Sequence, residues 1–278
     1  MISLGKNNFQ ALQYARAQIA RQYWYGTFGQ LGSPELLKEK RNQYPSMYKK
    51  WDPKSFEAGF GEKVHDCIGL AAKGYMMSPS PEDPARYIAK YDVSADAMME
   101  LCKISGDIST MPDIPGILVW KPGHIGIFEG DGVTIEAKGH AYGVIRTKDT
   151  KWKKWGLCPW WEYISITSWL TSLYKNIMNR QPDADGMKYW EGELHSSRQT
   201  PTQVAYFFLT SPELLQRNIS DDDFLTILYR VCFDREPDAE GKAYWLEQIK
   251  YKGREHVAVS FLYSKEWHDM EDYLLYIL

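Results

Sequence analysis

The feature that most restricts how this chain can fold is written into it twice. The stretch "LYKNIMNRQPDADGMKYW" at 173–190 returns as "LYRVCFDREPDAEGKAYW" at 228–245, an offset of 55 residues. The following "VAYFFLTSPEL" at 204–214 returns as "VAVSFLYSKEW" at 257–267, now 53 residues on. Tandem units of about 50 residues are supersecondary blocks that stack on a shared core. Each copy reads as a helix carrying Leu-Tyr, a Pro-Asp turn, and a helix whose Tyr-Trp faces inward. Ser211 or Ser264 then caps another helix. The "PDADG" turn invites a calcium reading. An EF-hand register begun at Gln181 puts Gly192 where the bidentate glutamate belongs, and the second copy puts Glu236 at the first ligand position. The aspartates are therefore read as turn and cap residues, and no metal is expected.

Upstream of the repeats the texture differs. Helical spacing runs over 8–23 in "FQALQYARAQIARQY", and "WYGTFGQLG" breaks it. "SPELLKEKRNQY" restarts a helix with Ser33 as N-cap and Pro34 in the first turn. A third helix begins at Asp66, "DCIGLAAKGYMM", and stops before "SPSPEDP"; shorter ones fit 84–90 and 94–104. After "MPDIPG" come apolar runs split by glycine at 116–120, 124–130, 133–139 and 142–148, with "EGDG" as a hairpin signal. Helices followed by an antiparallel meander predict an α+β domain over 1–164, and the repeats an all-α domain over 168–278.

Composition excludes several classes. Hydrophobic content of 44% and charged content of 25% are those of a globular protein. A net charge of −3 argues against nucleic acid or an anionic membrane as partner. No run approaches the roughly 18 apolar residues of a membrane span. The opening "MISLGKNNFQALQYARAQ" has no basic then apolar leader pattern, so synthesis as a soluble cytoplasmic product is expected. Cys67, Cys102, Cys158 and Cys232 are scattered, with no CxxC and no zinc spacing, and are read as free thiols.

Chemistry centres on Cys67. A thiol at a helix N-terminus meets free backbone N–H groups and the helix dipole, which predicts a lowered pKa and an oxyanion site. His124 opens one of the β runs, and Glu136 lies on the next. With a turn at "EGDG" the two fall side by side as base and orienting group. His65 adjoins the cysteine, but neighbouring helical side chains diverge. Cys102, Cys158 and Cys232 read as packing residues. Trp152, Trp155, Trp160 and Trp161 either line a substrate groove or close the sheet against the helices.

"DCIGL", followed 57 residues on by "GHIGIFEGDG", resembles the NlpC/P60 family of cell-wall cysteine peptidases, with D-C-S-G-L at the nucleophile and H-[VI]-G-[IV]-[YF]-x-G at the base. "YWYGTFG" is similar to that family's Y-x-[WY]-G-G, with Thr27 in place of the second glycine and Ile68 for the usual serine. The resemblance covers about residues 8–164. It implies a papain-like core, helices packed on an antiparallel sheet, that hydrolyses amide bonds in peptidoglycan stem peptides without a cofactor. By the same likeness Cys67 is nucleophile, His124 base, and Glu136 or His140 the third residue, where many members have histidine. Tyr23 reaches towards the thiol beside Tyr25, and Asp66 binds the polar end of the substrate. The repeats resemble the DUF4214 module of bacterial and phage extracellular proteins, which implies an anchor to the cell wall. The combined expectation is a phage or prophage endolysin, acting on bacterial peptidoglycan after release by a holin-type factor. The alternatives are an N-acetylmuramoyl-L-alanine amidase of CHAP type on the same scaffold, and a non-catalytic wall-binding protein.

Overall fold

Glycine-bounded apolar runs become the sheet. In the computed structural model, which describes residues 6–79 and 83–278, eight strands form. They are β1 (Phe28–Leu31), β2 (Lys63–His65), β3 (Ser105–Asp107), β4 (Leu118–Lys121), β5 (His124–Gly130), β6 (Val133–Gly139), β7 (Gly143–Thr147) and β8 (Lys154–Gly156). β1 and β2 pair with each other, and the rest form an antiparallel sheet in the order β3-β8-β4-β5-β6-β7. Asp131 and Gly132, with φ of 51° and 72°, turn β5 into β6, as a two-residue hairpin requires.

The described chain divides into two compact units, Lys6–Tyr163 and Ile164–Leu278. The first is α+β. Ile125 and Ile127 of β5 share a core with Ile135, Ala137 and Val144 of β6 and β7 and with the helices at Asn8–Ala17 and 67–77. Phe128 joins Ile117, Val119 and Trp152 in a separate cluster, so β5 is buried among apolar residues on both sides. The helix at 67–77 is not regular. Gly69–Lys73 is wound with a wide turn, in which the Gly74 N–H reaches the Gly69 carbonyl five residues back.

Local expectations meet tertiary competition at several points. The first helix stops at Ala17 rather than Tyr23, because Ala20 donates to the Val144 carbonyl and Arg21 accepts from the Val144 N–H. The chain thereby joins the edge of β7. Over 84–90 there is no helix, only a single tight turn at Ala89–Tyr91, since the Ala85 and Arg86 N–H groups bond to Gly29 and Met77. Part of "SPSPEDP", at 80–82, lies outside the described residues. Ser33 caps its helix as expected, accepting from Leu36, and the helix expected over 94–104 forms as Ala95–Leu101, with Ser94 as its cap accepting from Ala97. Strands β1, β2, β3 and β8 carry no clear alternation, and the tryptophan-rich segment supplies β8.

The second unit is all helical, and its two copies are built alike. In the first copy Arg180 grips Glu213 with two hydrogen bonds of 2.6 and 3.1 Å; in the second, Arg235 grips Glu266 at 2.9 and 3.2 Å. The same guanidinium groups lie over the rings of Tyr174 and Tyr229, at 4.9 and 5.0 Å. Asp183 and Asp238 cap the following helices by accepting from Gly186 and Gly241. A side chain at either glycine would collide with the hydroxyl of Tyr174 or Tyr229, at 2.5 and 2.6 Å from the new carbon. These contacts account for the shared "R-x-P-D-A-x-G" and "S-x-E". The change in offset from 55 to 53 arises where the connection 196–200 of the first copy is replaced by Gly253.

One buried polar group makes the first unit acid-sensitive. His65 is fully enclosed, its Nε2 2.9 Å from the Tyr14 hydroxyl. Burial, then the charges of Lys63 and Arg21, lower its pKa from 6.5 to about 3. The unfolded chain therefore takes up this proton first, and stability falls as pH drops from 6.5 towards 3, by up to about 1.4 kcal/mol per pH unit. Urea midpoints measured between pH 6.5 and 5, above the carboxylate range, should fall for the native chain. They should be markedly flatter for His65→Asn, and an equal slope in both would contradict this origin.

Candidate active site

Cys67 is the first residue of the helix at 67–77 and is 9% exposed. Its sulfur faces the N–H groups of Cys67 and Ile68 at the helix start and that of Ile125 on β5, one residue beyond His124. Asp66 holds this arrangement. Its Oδ1 accepts from the Gly69 N–H at 2.7 Å, and its Oδ2 from the Gly26 N–H at 3.0 Å. One carboxylate thus caps the helix and ties the "YWYGTFG" loop to it. Both oxygens accept from backbone, and Asp66 also lines the groove onto which Cys67 opens.

His124 is placed by β5 and by the turn before it. Asp96 accepts from both the Trp120 indole and the Gly123 N–H at 2.8 Å, which fixes the Lys121–His124 corner. The pairing of Ile127 with Ile135 sets Gly126 opposite Glu136, and His124 is the next residue on that face. Its Nε2 lies 2.7 Å from Glu136 Oε2. The other carboxylate oxygen accepts from the Thr147 hydroxyl at 2.6 Å, and the Lys138 ammonium stands 3.6 Å away. Burial pushes the Glu136 carboxyl up, but the hydrogen bonds from His124 and Thr147 outweigh it and leave the group below its ordinary range. Trp152 stacks on the imidazole with ring centres 5.6 Å apart and planes 10° apart. Gly126 permits this: a side chain there would meet Thr134 at 2.6 Å and Trp152 at 3.3 Å.

The competing histidines are elsewhere. His140 stacks on Phe56 and contacts Ser55 Oγ at 2.8 Å, away from the His124–Glu136 pair. His65 is bound to Tyr14 in the core. Tyr23 and Tyr25 do come to Cys67 and Asp66. Burial and these neighbours push the Tyr23 phenol well up, and the same influences raise Tyr25. Cys67 opens on a groove of about 690 Å3 walled by Tyr25, Tyr44, Lys73, Asp92 and Gly123. No tryptophan lines it. Trp152 and Trp161 are buried packing residues, and Cys102, Cys158 and Cys232 are likewise buried thiols. Among the described residues no group of three or more His, Cys, Asp or Glu is placed to hold a metal ion.

The thiol itself departs from expectation. Burial, and then the Asp66 charge, raise the Cys67 pKa to about 12, although the Ile125, Ile68 and Cys67 amides pull it down. Desolvation overrides the helix terminus, so the resting group is a neutral thiol. Thr147 and Asp96 were not singled out from sequence, and Trp152 was read only as a groove or packing residue. Thr147 follows from the β6–β7 register once Glu136 is placed, whereas nothing local marks Asp96 or the stacking of Trp152 on His124.

Residues 162–217 and 205–270 each match the family described as "Domain of unknown function (DUF4214)". No curated protein matches the chain.

Asp66→Asn keeps an acceptor for the Gly69 N–H while removing the adjacent negative charge. The Cys67 thiol should then titrate at lower pH than in the native chain, read as ultraviolet thiolate absorbance against a Cys67→Ala blank. An unchanged or higher titration point would show that the Asp66 charge does not govern the thiol.

Proposed function

We propose that the Lys6–Tyr163 unit is a thiol hydrolase of NlpC/P60 type that cleaves amide bonds in peptidoglycan stem peptides, and that the helical unit anchors it to the wall. The observation that carries this reading is the Cys67 sulfur at the Ile125 amide, beside a histidine whose other side is held at 2.7 Å by a buried glutamate. Cys67 opens on the groove, and the His124–Glu136 pair begins one residue from the Ile125 amide that meets the sulfur.

Because the thiol rests protonated, His124 takes its proton as sulfur attacks the carbonyl carbon, instead of idling as an ion pair. Glu136, ionised and dry, stabilises the imidazolium and holds the ring's orientation. The N–H groups at the helix start are donors for the tetrahedral oxyanion, which needs no rearrangement to be received. His124 returns the proton to the leaving amine, and water then opens the thioester with His124 again as base. Asp66, Asp96 and Trp152 act through position: the first sets the helix start, the second the β4–β5 corner, the third the plane of the imidazole.

A second reading on the same scaffold is N-acetylmuramoyl-L-alanine amidase, favoured by Glu136 as orienting group in place of the commoner histidine. In either case the biological setting we propose is a phage or prophage endolysin released onto the wall with a holin. Digestion of purified walls followed by mass spectrometry separates the two. New free amines within the stem mean endopeptidase, and stems freed from muramic acid mean amidase.

Cys67→Ala should abolish release of soluble fragments from purified walls with its thermal midpoint within about 2 °C of the parent's. Undiminished release would rule out Cys67 as the nucleophile. Glu136→Gln should lower kcat on the order of 10²-fold or more, since a neutral amide neither stabilises imidazolium nor fixes the tautomer. A loss confined to KM would assign Glu136 to substrate binding instead.

A further inference from the structure

The helical unit has a cleft of about 600 Å3 between its two copies, where residues 175–181 face the helix Asp221–Cys232. Lys175, Arg180, Arg217 and Arg230 line it, with Asp223 as the acid on its wall. Two of these cations are neutralised. Arg180 bonds to Glu213, and Arg230 bonds to Glu236 at 2.7 Å. Asp223 accepts from the Ser220 hydroxyl at 2.7 Å and keeps its negative charge, one acid against the two cations left without a carboxylate. Lys175 and Arg217 are half-buried, and among the described residues no carboxylate pairs with either. Arg217 is instead held by the carbonyls of Ile177 and Asn176, which fix its guanidinium at the cleft without cancelling its charge.

The internal repeat explains the imbalance. Lys175 occupies the position of Arg230, and Gln181 that of Glu236. In the second copy the six-residue spacing brings a glutamate onto the arginine. In the first copy the same spacing offers an uncharged amide, so the lysine lacks its built-in anion. Asn179 likewise replaces Asp234. Partly buried charge without a counter-charge is costly, and a bound anion relieves that cost.

We infer that this cleft binds a phosphodiester-linked sugar or polyol. A planar carboxylate is satisfied by one arginine fork, whereas here a point donor, Lys175, and a fork donor, Arg217, line one cleft, as suits a tetrahedral phosphate. Asn176, Asn179, Gln181 and Thr226 supply neutral partners for hydroxyl groups beside it. The inference rests on the anchoring half of the proposed function and is independent of the Cys67 chemistry.

The test is calorimetric titration of the full chain at low salt with a short oligo(glycerol phosphate), and separately with oligogalacturonate. The native chain should bind the phosphodiester and not the uronate. Gln181→Glu rebuilds the second copy's ion pair and should weaken binding about tenfold or more with an unchanged thermal midpoint, and Lys175→Gln should do the same. Cys67→Ala should bind as the native chain does. Binding of the uronate with equal affinity, unaltered binding by both cleft variants, or no binding by the native chain would overturn the inference. A chain that binds the phosphodiester but cleaves no wall would remove only the hydrolase reading.

Discussion

A carboxylate taken out of water has to be met by whatever surrounds it, and the first unit is arranged around two. Partners outweigh burial at Glu136, whereas at Asp66 burial prevails over the amide bonds and pushes the pKa up. Asp66 is met by two backbone amides from segments 43 residues apart, Gly26 and Gly69. Glu136 is met by an imidazole and a hydroxyl from the strands on either side of it. Each costs several kcal/mol to bury unpaired. Their partners are therefore held in place, and those partners include the helix that starts with Cys67 and the ring of His124. The site is rigid because its supports are the residues whose removal would expose the protein to that cost.

The same physics runs with opposite sign at the thiol. A helix terminus favours thiolate, but Cys67 is almost closed off from water and adjoins a negative charge. Burial wins, and in the proposed mechanism proton transfer to His124 is part of the chemical step. Tyr25 lines the open side of the groove onto which the sulfur faces, which is where the amide of the proposed reaction enters.

In the helical unit the repeated residues and the differing ones have separate roles. Arg180, Asp183, Gly186 and Glu213 have counterparts in Arg235, Asp238, Gly241 and Glu266, and both sets make the same clamp, cap and close approach. Stability of each copy depends on that set. The cleft between the copies is lined by positions where they diverge, Lys175 against Arg230 and Gln181 against Glu236. Duplication supplies a scaffold, and divergence at its seam leaves charge uncompensated.

Much was legible before any coordinates. The β5–β6 hairpin was readable because "HIGIFEG", "EGDG" and "VTIEAKG" carry their own period and turn chemistry, and the 12-residue step from His124 to Glu136 follows from it. The caps at Ser33, Asp183 and Asp238 were equally local. Where backbone groups found distant partners, local reading failed: the first helix yields to Val144 at Ala20 and Arg21, and 84–90 yields to Gly29 and Met77. By itself the sequence determined the strand and helix types, the duplicated unit and the short list of reactive side chains, because period, turns and repeats are properties of neighbouring residues. Only the tertiary structure decided that Glu136 rather than His140 meets His124, that Asp66 spends both oxygens on backbone, and that the Cys67 thiol rests neutral. Each of those depends on what lies across space and on how much water remains there.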